Sequence, residues 1–367
     1  MKRGVVRLSG GVLALLVFLV AARVAAPYAI QWYVNKQLDQ AENFTGHIGD
    51  VDLNLIRGAY EIENVRIEKT DGEVPVPFFY AERVDLSVYW SALLRGNLVG
   101  EVWLTRPELN IVDSESEEGK QTGEDEPWQD IVQGLFPLKI DSFVVEQGQI
   151  HFRNFNSDPP VDIYLSEVYA RLTNFTNSLE VSDTLVATLE GTAVPMEQGD
   201  LDIRLRFDPY TEQPQFDLNL RLTDLEVASL NDFIEAYTNL DVEAGTLDLA
   251  VEMATEQGQV SGYLKPVIHN LEVFDWQKDV AEEDEGFLAT LWEGFAGLVS
   301  ELFENQPQDT FATRVPIEGH IDDPEAGIFK AIQAILSNAF IEAIQPSVEG
   351  SIELEDVGAG QEPAEPE

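Results

Sequence analysis

The sequence predicts a mainly β protein with a few helices. An N-terminal transmembrane helix is followed by curved antiparallel β-sheet modules that can enclose an open apolar groove. Three observations carry this reading. Apolar and polar residues alternate over much of the chain, the period-2 signature of strands with one buried face. The N-terminus is basic and then uncharged for long enough to enter a membrane. Finally, the apolar spacing of "VWLTRPELNI" (Val102 to Ile111) occurs three times.

The elements follow in chain order. Residues 1–7 carry Lys2, Arg3 and Arg7 and read as a cytoplasmic tail. Leu8 to Ala22 hold no charge, Arg23 interrupts, and Val24 to Ile30 continue the apolar run. Residues 8–30 are long enough to span a bilayer at ~1.5 Å per residue if Arg23 snorkels outward. Basic residues before the span place the N-terminus in the cytoplasm, and Trp32 and Tyr33 suit the far interface. The alternative is a signal peptide cleaved after Ala22. Under either reading the bulk of the chain is exported. Pro27 to Ala41 continue as a helix leaving the membrane.

Residues 31–112 form a first β module, in which Val51, Leu53 and Leu55 alternate with Asp52 and Asn54, and Val84, Leu86 and Val88 with Asp85 and Ser87. Residues 113–127, "DSESEEGKQTGEDEP", hold seven acids against one lysine and read as a solvated linker. Residues 128–275 form a second β module. An acidic segment and amphipathic helix (276–312), a β-helix-β segment (313–355) and a disordered acidic tail (356–367) complete the chain.

"VWLTRPELNI" aligns without a gap with "FVVEQGQIHF" (Phe143 to Phe152) and with "LDVEAGTLDL" (Leu240 to Leu249). Each puts apolar residues at its first, third, eighth and tenth positions and Pro107, Gly148 or Gly245 at its sixth. Two apolar pairs of opposite parity, joined at Gly or Pro, describe a bulge or tight bend inside an extended element. These three residues are therefore expected to be module joints. A shorter pattern with a central glycine recurs at Leu189 to Ala193, Val260 to Leu264, Ile317 to Ile321 and Val348 to Ile352. It indicates strong local twist or close backbone approach.

Helices have legible starts and stops. Ser229 is placed to cap "SLNDFIEAY", with Leu230, Phe233, Ile234 and Tyr237 on one face. Asp322, Asp323 and Pro324 open another helix, which stops at Pro346. The run Gly286 to Phe303 places Phe287, Leu291, Trp292, Phe295, Leu298 and Phe303 along one stripe. Such a stripe is core, a lid over an apolar groove, or an interfacial face. Its polar side carries Glu293 and Glu301 and no cation, which argues against an anionic membrane.

Composition bounds the chemistry. With 22 Lys+Arg against 67 Asp+Glu, the formal charge of −45 excludes nucleic acid as a partner, because phosphate binding needs clustered cations. No cysteine is present, so disulfides, thiolate metal sites and cysteine nucleophiles are excluded. The four histidines have no partner at metal-ligand spacing, and no nucleophile elbow, phosphate loop or dinucleotide fingerprint occurs. "DVDLNLIRGAYE" (Asp50 to Glu61) imitates a calcium loop, but Leu55 stands where a glycine is required. The expectation is a non-enzyme without catalytic residue, cofactor or metal.

The basic tail, the span and "AERVDLSVYWSALLRGNLVGEVWLTRPELNIV" (Ala81 to Val112) resemble the AsmA-like bacterial envelope proteins, closest to shorter members with a domain of unassigned function. "PLKIDSFVVEQGQIHFRN" (Pro137 to Asn154), the two stretches from Leu220 to Tyr237 and Val242 to Met253, and "VPIEGHIDDPEAGIFKAIQAILSNAF" (Val315 to Phe340) extend the likeness. The resemblance implies a single-pass inner-membrane anchor, a periplasmic β-rich body with a lipid-binding groove, and work in envelope biogenesis or phospholipid transport. The acidic linker and the insert at Glu282 to Phe303 depart from the pattern and would interrupt a continuous groove. The leading expectation is a protein that binds or guides lipid without catalysis. The alternative is a tethered scaffold, packed as a sandwich, that docks an envelope protein through a sheet edge or the linker.

Overall fold

The computed structural model describes residues 23–36, 38, 44–54, 58–70, 74–89, 91, 99–114, 116, 119–121, 139–174, 187–208, 215–238, 240–256, 258–276, 310–312 and 314–320. The alternating segments become the strands of one sheet. They are β1 (Phe44–His47), β2 (Val51–Asn54), β3 (Ala59–Lys69), β4 (Phe79–Val88), β5 (Val99–Val112), β6 (Lys139–Asn154) and β7 (Val161–Thr173), then β8 (Ala187–Pro195), β9 (Asp200–Asp208), β10 (Gln215–Glu226), β11 (Leu240–Glu256), β12 (Gln259–Trp276), β13 (Thr310–Ala312) and β14 (Val315–His320). Two α-helices are described: α1 at residues 23–36, with helical Leu38 beyond it, and α2 (Asn231–Thr238).

From β3 to β13, each strand on the main path bonds to the next in the chain. β1 and β2 lie end to end along one edge of β3, and β13 and β14 share the free edge of β12. The sheet is thus twelve strands across. Eleven spacings of ~4.8 Å make that row about 53 Å wide. Strands in close main-chain contact are sheet neighbours, and the strand order does not close on itself, so the described strands form one sheet with two edges.

The antiparallel expectation has one exception. β5 and β6 pair in parallel, and the acidic stretch lies in the connection between them. Parallel neighbours need a crossover of a dozen or more residues, which this connection supplies. The register pairs Val102 with Phe143, Leu104 with Val145, Leu109 with Ile150 and Ile111 with Phe152. The ungapped match between these segments is therefore the register itself, and the strands on either side of the acidic stretch are direct neighbours in one sheet. That stretch is not wholly solvated. Gln121 is 1% exposed and bridges Val112, while the Lys69 ammonium donates to the Lys120 carbonyl at 2.9 Å.

The change of parity has a backbone cause. Arg106 (φ 48°) and Gln147 (φ 55°) immediately precede Pro107 and Gly148, and both are left-handed. Asn64, Glu167, Asp224 and Asn270 share that conformation within β3, β7, β10 and β12. Each stands between two apolar or small residues three apart: Ile62 and Val65, Leu104 and Pro107, Val145 and Gly148, Leu165 and Val168, Leu222 and Leu225, Ile268 and Leu271. All of these are buried or half-buried. The left-handed residue absorbs one step of the pleat, so the strand keeps the same face inward. A left-handed L-residue costs about 1–2 kcal/mol, whereas each large apolar side chain turned out to water costs about 1.5–3 kcal/mol. With several such side chains beyond each joint, the bulge wins. Gly245 takes φ 144° in β11, among three register shifts against β12.

The helical expectations shift in detail. A 3₁₀ turn, Val227–Leu230, precedes α2, and Ser229 does not cap the helix. Its hydroxyl donates to the Glu226 carbonyl at 2.7 Å. α2 is tied instead to β11 by Asn231, whose Oδ1 accepts from the Val242 amide at 2.7 Å and whose Nδ2 donates to Asp241 at 3.1 Å. Of the expected span, residues 8–22 lie outside the described residues, while 23–30 belong to α1. Among the described residues no helix is long and apolar enough to cross a membrane.

Candidate functional site

The inward side chains of β2 to β12 form one continuous apolar cluster, from Val51 and Leu53 through Leu86, Val102 and Val145 to Leu222, Leu247 and Ile268. Left-handed residues in β3, β5, β6, β7, β10 and β12 keep this face unbroken where a strict two-residue period would have split it. Helical residues cover it at two places among those described. At the β1–β3 end, Val34 and Leu38 are 4% and 2% exposed within the cluster, and Gln31 donates to the Gly49 carbonyl at 2.7 Å. At the other, Val227 and Ile234 enter the cluster, and Phe233 meets Phe152 edge-on at 6.2 Å. Phe143, Leu189, Ile203 and Leu218 pack against the cluster and are half-buried.

Asn110, His151, Arg153, Asp162 and Tyr164 project to the opposite face, since they alternate with Ile111, Phe152 and Ile163 in paired register. Arg153 holds them together. Its guanidinium donates to Asp162 at 3.1 Å and to Asn110 Oδ1, with Glu108 at 3.8 Å. His151 Nδ1 lies 2.7 Å from Asp162 and 2.9 Å from the Arg153 guanidinium, and its ring stacks on Tyr164 at 5.0 Å. Burial pushes the Asp162 carboxyl up, but the hydrogen bonds and charges of His151 and Arg153 outweigh it and hold the group below its ordinary range. Asn110 is fully buried, donating to Glu108 at 3.0 Å and to the Pro77 carbonyl at 2.9 Å. This network clips the parallel pair to β7. Every charge in it has a protein partner, which describes a structural seam.

A shallow cleft of ≈ 320 Å³ also opens on the outer face, lined by Arg83, Asp85, Ser87, Glu101, Trp103, Thr105 and Glu146. The Arg171 guanidinium stacks 5.7 Å from the Trp103 ring, and Arg83 pairs with Glu61 at 3.0 Å. Burial first, and then Asp85, pushes the Glu61 carboxyl up. Among the described residues no group of three or more His, Asp or Glu is placed to hold a metal ion.

The residues singled out from sequence fall as follows. Pro107 is buried, paired with Ala81 across β4 and beside Gly148 across β6. A Cβ on Gly148 would stand 3.3 Å from Pro107 Cγ, so these two touch. Gly245 lies five strands further along the sheet, against Leu271. The stripe Phe287, Leu291, Trp292, Phe295, Leu298 and Phe303 lies outside the described residues. Sequence reading missed the left-handed residues Asn64, Arg106, Gln147, Glu167, Asp224 and Asn270, which set the shape of the apolar face. Their signal is an apolar pair three apart inside an otherwise alternating strand, with a polar residue just before the second. No protein-family model matches the chain, and no curated protein matches it.

Proposed function

We propose that the protein is a membrane-anchored, non-catalytic lipid-binding protein of the bacterial envelope. In this reading residues 8–22 enter the inner membrane, the sheet lies in the periplasm, and its apolar face is a groove for phospholipid acyl chains. One observation carries the reading: the described strands form a single sheet whose apolar face is continuous from β2 to β12. The inward face is held in register by left-handed residues at the cost of backbone strain, and half-buried Phe143, Leu189, Ile203 and Leu218 flank its buried core. An acyl chain entering such a face gains about 0.8 kcal/mol per buried methylene.

The test places a photoreactive benzoylphenylalanine at Leu189 or Ile203, and, as controls, at Glu190 or Arg204 on the exposed face. The full chain is irradiated in bacterial membranes and analysed by mass spectrometry. Phospholipid adducts at 189 and 203 but not at 190 and 204 are expected. Equal labelling at the two sets, or none at either, overturns the proposal.

A further inference from the structure

Four of the six exposed large hydrophobic residues among those described lie on α1: Val24 (63%), Tyr28 (71%), Trp32 (66%) and Tyr33 (46%). Val24, Tyr28 and Trp32 are spaced four apart and share one helix face. The opposite face carries Ala26, Ile30, Val34 and Leu38, also four apart, which pack on the core of the sheet. The helix is thus apolar on two sides, with the sheet occupying one of them.

α1 is also fixed to the sheet along its whole length. Arg23 donates to the Leu53 carbonyl, Gln31 to the Gly49 carbonyl at 2.7 Å, and Asn35 Oδ1 accepts from the Ile48 amide at 2.8 Å. Residue 23 therefore already belongs to the β body, and Ile30 faces protein rather than lipid. This differs from a span that runs freely to residue 30. Directly upstream stand the fifteen uncharged residues Leu8 to Ala22. As a helix they reach about 22 Å, short of the ~30 Å hydrocarbon layer. The missing ~8 Å falls on the first turns of α1, where Val24 and Tyr28 are exposed. Lys36, 5.2 Å over the Trp32 ring, supplies a cation at the far end of the stripe. In a chain of charge −45, an aromatic stripe bounded by Arg23 and Lys36 has the chemistry of a lipid interface, where Trp and Tyr rings sit at headgroup depth.

We propose that the exposed face of α1 is a bilayer-contact surface. Val24, Tyr28 and Trp32 lie in the interfacial layer of a phospholipid membrane and hold the β1–β3 end of the sheet at the lipid surface. The apolar face of the sheet then begins at the membrane, behind a helix that touches lipid on one side and that face on the other. This rests on the membrane-anchored part of the function proposed above, and not on the sheet carrying lipid.

The chain contains no cysteine, so Tyr28→Cys, Trp32→Cys and the outer-face control Glu190→Cys each give a unique labelling site. The full-length variants are nitroxide-labelled and reconstituted in nanodiscs of phosphatidylethanolamine and phosphatidylglycerol. Power-saturation electron paramagnetic resonance then compares collision with oxygen, which partitions into lipid, and with a water-soluble nickel chelate. Oxygen is expected to dominate at 28 and 32 and the chelate at 190, with unchanged thermal midpoints confirming the fold. Chelate access at 28 and 32 equal to that at 190 overturns the proposal. Phospholipid adducts at Leu189 are read separately, so failure at α1 and failure of the lipid-binding face are distinguishable.

Discussion

Arg106 and Gln147 stand side by side in the parallel pair β5–β6, both left-handed, with the Arg106 guanidinium donating to Gln147 Oε1 at 3.4 Å. Arg106 also pairs with Glu82 on β4, opposite it on the other side. The two left-handed residues thus lie at one level of β5 and β6, and the β5–β6 register passes that level without a shift. A left-handed residue in one strand alone would split the ladder locally, whereas the aligned pair lets β5 and β6 change pleat together, and the register shifts only at the next ladder, β6–β7.

The conformation, rather than the polar contacts, is expected to dominate at Gln147, because its side chain is exposed. Gln147→Val puts a β-branched residue where φ is positive and should cost about 1–2 kcal/mol. Gln147→Gly, which adopts that region freely, should give a thermal midpoint no lower than the parent. Circular dichroism melts of the full chain in detergent check both. A valine variant as stable as the parent removes the role assigned to the left-handed residue.

Close backbone approach makes a second, graded expectation. A Cβ on Gly262 would lie 2.4 Å from the Glu252 carbonyl oxygen and 2.9 Å from Met253 Cα, both main chain in β11. A Cβ on Gly148 would meet Val145 Cγ1 at 2.9 Å and Pro107 Cγ at 3.3 Å, which are side chains able to give slightly. Gly148→Ala should therefore cost about 1–3 kcal/mol as ordinary overpacking, and Gly262→Ala more. Thermal melts in the reverse order would show that the β11–β12 ladder can part without penalty.

Much of this architecture was legible because alternation is a direct consequence of one buried face. Val84 and Leu86, and Val102 and Leu104, report their strands and their inward sides at once. Pro107 and Gly148 marked the joints because Gly and Pro are conspicuous, yet the strained residue is the polar one before each. Asn64, Glu167 and Asp224 were invisible for that reason: a left-handed φ leaves little trace in an ordinary polar residue. The parallel pairing was hidden as well, although the matching spacing of 102–111 and 143–152 contained its register. Internal similarity shows that two segments share a shape, and only the length of the crossover bears on their direction. Ser229 misled because its hydroxyl found the Glu226 carbonyl, leaving Asn231 to tie the helix down.

Asn231 is the natural place to loosen α2 without touching the sheet core. Its Oδ1 satisfies the Val242 amide where register shifts leave β11 out of step with β12. Asn231→Ala should leave that amide unpaired and cost about 1–3 kcal/mol. Hydrogen exchange followed by mass spectrometry should show faster exchange in peptides covering residues 231–244 and unchanged exchange in β4 and β5. Uniform acceleration across the sheet would mean that α2 is part of one cooperative unit rather than a locally docked cover.

The Asp162 seam gives a pH dependence whose sign follows from its environment. His151 and Arg153 together overcome burial and hold the carboxyl below its ordinary value. A group depressed in the folded state binds fewer protons there than in the unfolded chain, so it stabilises the fold above the unfolded value of about 3.9. That contribution disappears as pH falls through the lowered folded value. Asp162→Asn keeps the shape and one acceptor but removes the charge from Arg153 and His151. The parent should therefore melt above the variant at pH 6, and the gap should narrow at pH 3. Because the carboxylate side chain is 45% exposed, the gap at pH 6 should also shrink with added salt. A gap that is constant from pH 6 to pH 3 would mean that Asp162 acts by shape alone, and that the charge on Arg153 is balanced by Glu108 instead.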